Sequence, residues 1–324
     1  MKKVAVLTSG GDSPGMNACL RAVVRGAIYH DVEIYGVRYG YKGLVDGDIK
    51  LLKSHSVSNI VQRSGTVLKT ARSKEFFTKE GRKKAHDNLK LLGIEGLIVI
   101  GGDGSFTGAK IFFEEFGIPT VGAPGTIDND IYGTDNTIGF DTAVNTALEA
   151  VDKIRDTADS HDRVFFIEVM GRDSGYIAIQ SGIGGGAELV MVPEAKTSID
   201  DVIETLRKGW NRQKTSSIVV VAEGDEEGNA LEIADKVKTS VSNIKDIRVT
   251  ILGHIQRGGA PTAYDRILAS RLGLGAIEGL LNGKANVMAG IISNKLTYTS
   301  FEEAITKEKP LNPDLIRMVE ILSI

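Results

Sequence analysis

Short apolar runs alternate with longer stretches of helical spacing along the chain. KVAVLT (3–8) reads as a buried strand. Ser13 before Pro14 predicts an N-cap followed by the first helical position, and MNACLRAVVRGAIY (16–29) then carries apolar residues at helical spacing. EIYGVR (33–38) is a second strand. GRKKAHDNLKLLG (81–93) predicts a helix stopping at Gly93, and GLIVIGG (96–102) a strand running into glycines. A further helix follows GGDGS, and IPTVGA (118–123) is a strand that leads into PGTIDND (124–130). FDTAVNTALEAVDKIRDTAD (140–159) is the longest helical pattern. RVFFIEVMG (163–171), ELVMVPE (188–194), SSIVVVAEG (216–224) and RVTILGH (248–254) read as further strands, with helices around 198–212 and 262–281.

Alternating strand and helix implies mainly parallel sheets covered by helices on both faces. The number of strands favours two sheets. In such α/β folds ligands gather beyond the carboxyl ends of strands, so those ends are where chemistry is sought.

Composition agrees. The chain has 324 residues, 42% hydrophobic and 25% charged, with 38 Gly and 6% aromatics, which suits a turn-rich, two-domain α/β protein. A net charge of −3 supplies no basic field for nucleic acid. RKK (82–84) lies on a helical pattern and reads as a solvated face. The one cysteine, Cys19, falls in an apolar helix pattern and reads as buried and inert. No stretch reaches the ~18 apolar residues of a membrane span, and VAVL after MKK is too short an apolar run for a signal peptide to be expected. A soluble, cytoplasmic protein is expected.

The strand ends carry the candidate chemistry. TSGGDSPG brings Gly10 and Gly11 to a βα turn, where backbone N–H groups can approach a ligand. GGDGS places Asp103 where Mg²⁺ could be held by a carboxylate plus substrate phosphates, and Ser105 where it could cap the helix or touch phosphate. PGTIDND sets Asp128 and Asp130 either side of Asn129, more carboxylate than a turn requires. VMGRDSG ends in Arg172, AEG in Glu223, and LGHIQRGG holds His254 and Arg257 three apart. Any one of these fits a buried carboxylate or a core histidine; together they are hard to explain by packing. GIGGGA (182–187) matches a dinucleotide fingerprint but precedes a strand, and GLLNGKA (279–285) is an incomplete phosphate loop.

TSGGDSPGMNA, IGGDGS, PGTIDND, IGFDTA, VMGRDSG, VAEG and LGHIQRGG, in this order and spacing, resemble the bacterial-type ATP-dependent 6-phosphofructokinase family over nearly the whole chain. The resemblance implies two similar Rossmann-like three-layer domains with the active site in the cleft between them. It implies a nucleotide-binding domain of 1–139 plus 252–304 and a sugar-phosphate domain of 140–251 plus 305–324. It implies a cytoplasmic homotetramer that uses Mg²⁺ and phosphorylates the 1-hydroxyl of fructose 6-phosphate.

By the same resemblance Asp128 is the general base and Arg172 stabilises the transferring group. Thr126 contacts that group or the sugar, Asp130 lies next to the metal and sugar, and Asp103 is the magnesium ligand. Gly11, Arg72, Ser73, Gly102, Asp103, Gly104 and Ser105 bind ATP. Met170, Gly171, Glu223, Arg248, His254 and Arg257 bind the sugar phosphate, with Arg163 supplied by a neighbouring subunit. Gly104 and Gly125 stand where pyrophosphate-dependent relatives usually carry Asp and Lys, so ATP is the expected donor. The alternatives are a pyrophosphate-dependent enzyme and a silent regulatory subunit. An effector pocket for ADP or phosphoenolpyruvate would use Arg21, Arg25, Arg155, Gly186, Glu188, Arg212 and Lys214. Two positions depart from the family there, Ser54 where arginine is usual and Ser216 where histidine is common. In the adenine region, ARSKEFF puts Ser73 and Phe77 where the family often has an aromatic and an arginine; Lys74 or Phe76 could substitute.

Overall fold

In the first strand, β1 (Lys3–Thr8), Val4 and Val6 pack into one apolar cluster while Ala5 and Leu7 pack into another. Successive side chains of a strand point to opposite faces, and here both faces are covered. That is why KVAVLT is a continuous apolar run and not an alternating one.

The computed structural model describes residues 1–160, 163–212, 216–241 and 246–322. After β1 come β2 (Glu33–Val37), β3 (Ile49–Leu52), β4 (Gly96–Gly101) and β5 (Thr120–Pro124). Then follow β6 (Val164–Val169), β7 (Leu189–Met191), β8 (Ser217–Ala222), β9 (Ile247–Ile251), β10 (Val287–Ile292) and β11 (Lys295–Ser300). The helices are α1 (Met16–Tyr29), α2 (Gly40–Asp46), α3 (Lys79–Leu91), α4 (Asp103–Phe116), α5 (Phe140–Asp159) and α6 (Tyr176–Gly184). They continue as α7 (Ile199–Asn211), α8 (Ala230–Ser240), α9 (Ala263–Leu281), α10 (Phe301–Thr306) and α11 (Pro313–Leu322).

Contacts divide the chain into two units. The first comprises Met1–Ile127, Ile131–Asp141 and Arg257–Lys309. Its sheet runs β11-β10-β5-β4-β1-β2-β3, parallel except at its two margins, where β3 and β11 pair antiparallel. One face packs on α1 and α9, the other on α2, α3, α4 and α10. The second unit comprises Asp128–Asp130, Thr142–Gln256 and Pro310–Ile324. Its four strands are all parallel, in the order β7-β8-β6-β9. Val164 and Phe166 of β6 and Val219 and Val221 of β8 meet apolar residues of α7 and α8.

The expected α/β class with mainly parallel sheets is what forms. Among the differences from the sequence reading, three have a plain physical reason. Helix α1 begins at Met16, and the residue before it, Gly15, has φ 106. Ser13 is therefore not its N-cap; the Ser13 hydroxyl is buried and finds no hydrogen-bond partner among the described residues. Only a glycine accepts this entry angle cheaply, so chain geometry overrides the Ser-Pro signal. Second, Arg82 of the RKK run is no solvated residue. Its side chain is 11% exposed, pairs with both Glu115 oxygens at 2.7 Å and donates to the Phe76 and Phe77 carbonyls. Lys83 and Lys84 do face solvent. Third, β10 and β11 form a hairpin whose central residues, Ser293 and Asn294, both have positive φ, 47 and 64. Such a turn matches strand twist.

Cys19 is fully buried, and burial pushes its thiol far above the ordinary range, which keeps it inert. No described helix is long and apolar enough to cross a membrane.

Candidate active site

In the first unit, β4 lies between β1 and β5, with Thr8 opposite Ile100 and Gly101 opposite Pro124. Parallel pairing brings their carboxyl ends to one edge. Three glycine-bearing segments therefore meet there: Gly10–Gly11, Gly101–Ser105 and Gly125–Thr126. The approach is close. A Cβ on Gly101 would lie 2.7 Å from the Ser9 carbonyl oxygen and 2.5 Å from the Ser105 hydroxyl. Ser105 sits inside the first turn of α4, whose N-cap is Gly102 without a side-chain cap. Ser105 is thus not the cap that its position suggested. Glycine supplies no side-chain cap, and the start of a helix is where backbone N–H groups can receive anions.

Asp103 opens α4, in the first turn of the helix. Gly104 beside it has nothing within 4 Å of where a Cβ would stand. Gly125 is the reverse: a Cβ would come 2.9 Å from Met16 Cε. Thr126 is 9% exposed, and its carbonyl accepts from the Thr137 hydroxyl at 2.7 Å. Arg257 belongs to this unit. Its Nη1 donates to the Asp12 carbonyl at 3.2 Å, and a Cβ on Gly11 would lie 2.6 Å from that nitrogen.

Arg72 is exposed. The Ser73 hydroxyl accepts from Phe76 N–H at 3.2 Å and so closes the turn Glu75–Phe77. Phe76 is 6% exposed and stacks on Tyr41, centroids 4.2 Å apart. It is a core residue and cannot take the place of a missing adenine contact, whereas Phe77 beside it is 84% exposed.

In the second unit β6 lies between β8 and β9, with Val169 opposite Ala222 and Glu168 opposite Ile251. The residues just past these strands are therefore neighbours: Met170–Arg172, Glu223–Gly224 and Leu252–Gln256. Glu223 Oε1 accepts from Gly171 N–H at 3.3 Å and Arg172 N–H at 2.7 Å. These bonds hold an unusual backbone. Gly171 has φ 155, and Arg172, a bulky residue, has φ 53. Positive φ in a residue with a side chain costs of order 1–3 kcal/mol and gathers at functional sites.

Asp128 is 2% exposed and Arg172 56% exposed by their side chains, and Arg172 Nε stands 3.5 Å from Asp128 Oδ2. The Ser174 hydroxyl donates to the Asp128 carbonyl at 3.1 Å. Asn129 follows with φ 55, and Asp130 is half-buried. Glu194, past β7, accepts from Gly175 N–H at 2.9 Å and anchors the far side of the MGRDSG loop. His254 is exposed on the turn Gly253–Arg257.

Arg163 and Arg248 lie elsewhere. Both pair with one carboxylate, Asp246 Oδ2, at 3.0 and 2.7 Å. Arg163 precedes β6 and Asp246 precedes β9, so this cluster sits at the amino edge of the sheet. Six residues of β6 separate that edge from Met170–Arg172, roughly 20 Å at strand rise. Arg248 thus groups with Arg163 and not with His254.

Sequence reading missed Asp246, Ser174 and Glu194. Asp246 could have been flagged as an acid just ahead of a strand. Ser174 and Glu194 act through the backbone of loops far away in sequence, and no local pattern announces that.

The remaining candidates divide between the units. Arg21 and Arg25 lie on α1, half-buried and exposed. Arg155 donates to the carbonyls of Gly185 at 2.7 Å and Gly186 at 2.6 Å, and its Nη1 is 3.9 Å from Glu188 Oε1. Glu188 and Arg212 also line a cavity of about 490 Å³ with Lys208 and Val319. Lys214 lies outside the described residues. Ser54 is exposed, and the Ser216 hydroxyl donates to Asp159.

A metal must fit this donor set. Among the described residues no three His, Cys, Asp or Glu side chains come together to hold one. A single carboxylate at a helix start suits Mg²⁺ that arrives on nucleotide phosphates and keeps waters. Asp103 would hold it.

The sequence pattern of the Phosphofructokinase family matches residues 3–280. A protein of Cytophaga hutchinsonii named ATP-dependent 6-phosphofructokinase is 58% identical over 323 residues, covering 100% of this chain and 98% of that one. ATP-dependent 6-phosphofructokinase 1 of Thermus thermophilus is 54% identical over 324 residues, covering 100% of both. Among solved structures, phosphofructokinase from Saccharomyces cerevisiae matches with a TM-score of 0.90 at 37% identity, over 94% of this chain and 45% of that chain.

Proposed function

The chain belongs to the phosphofructokinase family, and from that premise we propose that it transfers the γ-phosphoryl group of ATP to the 1-hydroxyl of fructose 6-phosphate, a step of glycolysis. The observation that carries the mechanism is the buried Asp128 carboxylate 3.5 Å from the exposed Arg172 guanidinium. The full-length relatives supply the identity of donor and acceptor.

Asp128 takes the proton from the sugar 1-hydroxyl as that oxygen bonds to phosphorus. The bond from phosphorus to the bridging oxygen breaks, and ADP leaves. Phosphoryl transfer asks for positioning and charge neutralisation more than covalent help. Arg172 supplies the charge beside the reacting group, and Thr126 and Asp130 orient it. The first unit holds the nucleotide through Gly11, Arg72, Gly102, Gly104 and Ser105. Ser73 serves there by holding the turn that follows it. Mg²⁺ bound at Asp103 would neutralise phosphate charge. The second unit holds the sugar through Met170, Gly171, Glu223 and His254; Arg257 completes the phosphate set. Arg163 and Arg248, roughly 20 Å away along β6, serve the sugar phosphate of a neighbouring subunit in a cytoplasmic homotetramer. By the family resemblance Arg21, Arg25, Arg155, Gly186, Glu188, Arg212 and Lys214 each serve an anionic effector, and Ser54 and Ser216 weaken that response.

A coupled assay with fructose 6-phosphate and Mg²⁺ tests this, with ATP and pyrophosphate run side by side. Turnover with ATP alone is expected. Turnover with pyrophosphate in its place would overturn the donor assignment, and silence with both would favour a regulatory subunit.

A further inference from the structure

Three consecutive N–H groups follow β6, and side chains accept all three. Glu223, past β8, takes those of Gly171 and Arg172. The third, Met170 N–H, donates to Gln256 Oε1 at 2.8 Å. Gln256 comes from the turn Gly253–Arg257, past β9, and is 0% exposed. Its Oε1 is engaged, yet its Nε2 is buried with no hydrogen-bond partner among the described residues. A buried donor left unmade is costly, so an apolar side chain of this shape would be the cheaper filler. The amide is kept for what its oxygen does.

We propose that Gln256 is a positioning residue that ties the sugar-phosphate turn to the backbone of the catalytic arginine. Arg172 is held at φ 53 after Gly171 at φ 155, a conformation the chain does not favour unaided. Two clamps from the strands flanking β6 impose it: Glu223 on one side and Gln256 on the other. The second clamp is special in its neighbours. Gln256 lies between His254 and Arg257, and the chain passes from the second unit to the first between Gln256 and Arg257. Whatever orders this turn also orders Met170 N–H, and through it Arg172. Binding energy from a remote part of the substrate is in this way used at the reacting centre.

The inference rests on the reading of Arg172 given above, and one double-mutant cycle separates the two. Gln256→Met keeps the volume and removes the acceptor; Arg172→Ala removes the guanidinium. Single Gln256→Met is expected to lower kcat about 10²-fold, as a misplacement of order 1 Å does, with the KM for ATP unchanged. In the Arg172→Ala background the same substitution is expected to change kcat less than twofold. Equal losses in both backgrounds would overturn the positioning role. An Arg172→Ala enzyme with wild-type kcat would instead overturn the role of Arg172 itself. Gln256→Glu keeps an acceptor oxygen and is expected to restore at least tenfold of the loss. Hydrogen exchange over 169–173 is the readout that holds even if Gln256→Met is inactive. Faster exchange there, with the β6 core still protected, supports the clamp; unchanged exchange sinks it.

Discussion

Arg172 Nε stands 3.5 Å from Asp128 Oδ2, and the two partners differ sharply in exposure, 56% against 2%. The carboxylate is hidden, while more than half of the arginine side chain is exposed. A ligand hydroxyl reaching Asp128 must displace or share this contact. Asp128→Asn keeps the shape and removes the base. Its kcat is expected to fall about 10²–10⁴-fold, with the KM for ATP within a factor of three. Steady-state kinetics with each substrate varied would check it; a variant retaining a tenth of the activity would exclude Asp128 as the base.

The loop that carries Arg172 has no room at Gly224. A Cβ there would lie 2.1 Å from the Arg172 carbonyl oxygen, which is backbone and cannot swing aside. Gly224→Ala is therefore expected to displace the arginine and cost about 10²-fold in kcat. Overpacking of this kind destabilises by about 1–3 kcal/mol. Comparing the kinetic loss with a urea midpoint shows whether the damage is local.

Gly104 and Gly125, which the resemblance ties to the choice of phosphoryl donor, should behave differently. Gly104 opens into free space, so Gly104→Asp is expected to fold with stability within about 0.5 kcal/mol of wild type. Its carboxylate next to Asp103 would repel nucleotide phosphates and raise the KM for ATP. Gly125→Lys meets Met16 Cε at 2.9 Å and Ile100 Cγ2 at 3.3 Å and should lose about 1–3 kcal/mol. Equal melting temperatures for the two variants would contradict the packing.

Arg82 braces α3 against α4 and holds the Phe76 and Phe77 carbonyls. Removing it as Arg82→Ala should cost about 2 kcal/mol, the scale of charge-assisted hydrogen bonds. Hydrogen bonding to Arg82 is the main effect that holds the Glu115 carboxyl below its ordinary value; burial opposes it, and the Arg82 charge adds a further, smaller lowering. A depressed carboxyl stabilises above its unfolded pKa and loses that contribution as pH falls through the folded value. The stability gap between wild type and Arg82→Ala is therefore expected at neutral pH and should narrow in acid. Denaturant titrations at pH 7 and pH 3 would show a constant gap if the pair were not responsible.

Effector control offers the last test. Ser54 and Ser216 offer hydroxyls where the resemblance leads one to expect an arginine and a histidine, and Ser216 is already engaged with Asp159. Weak inhibition by phosphoenolpyruvate is expected for the wild type. Ser54→Arg should strengthen it about tenfold, the effect of one charge-assisted bond. Strong inhibition of the unmodified enzyme would refute the weakened pocket.

Much of this was legible in the sequence, and for a physical reason. Strands covered on both faces must be apolar throughout, so GLIVIG and SIVVVA announce themselves as β4 and β8. A helix packed on a sheet must be apolar along one stripe, so α1 appears at its observed bounds. Glycines and charges at strand ends mark where ligands go, and the motifs around Asp103, Asp128 and Arg172 point to phosphoryl transfer. Which strand lies beside which is another matter. That order is set by packing between residues tens of positions apart, and no local pattern encodes it. Because β6 lies between β8 and β9, Glu223 and Gln256 reach the same loop from 51 and 86 residues away. The same order gives Arg163 and Arg248 one shared carboxylate at the opposite edge, and it places Asp128–Asp130 with the second unit although their strand belongs to the first. The residue types were chosen locally; their partners were decided only when the sheets closed.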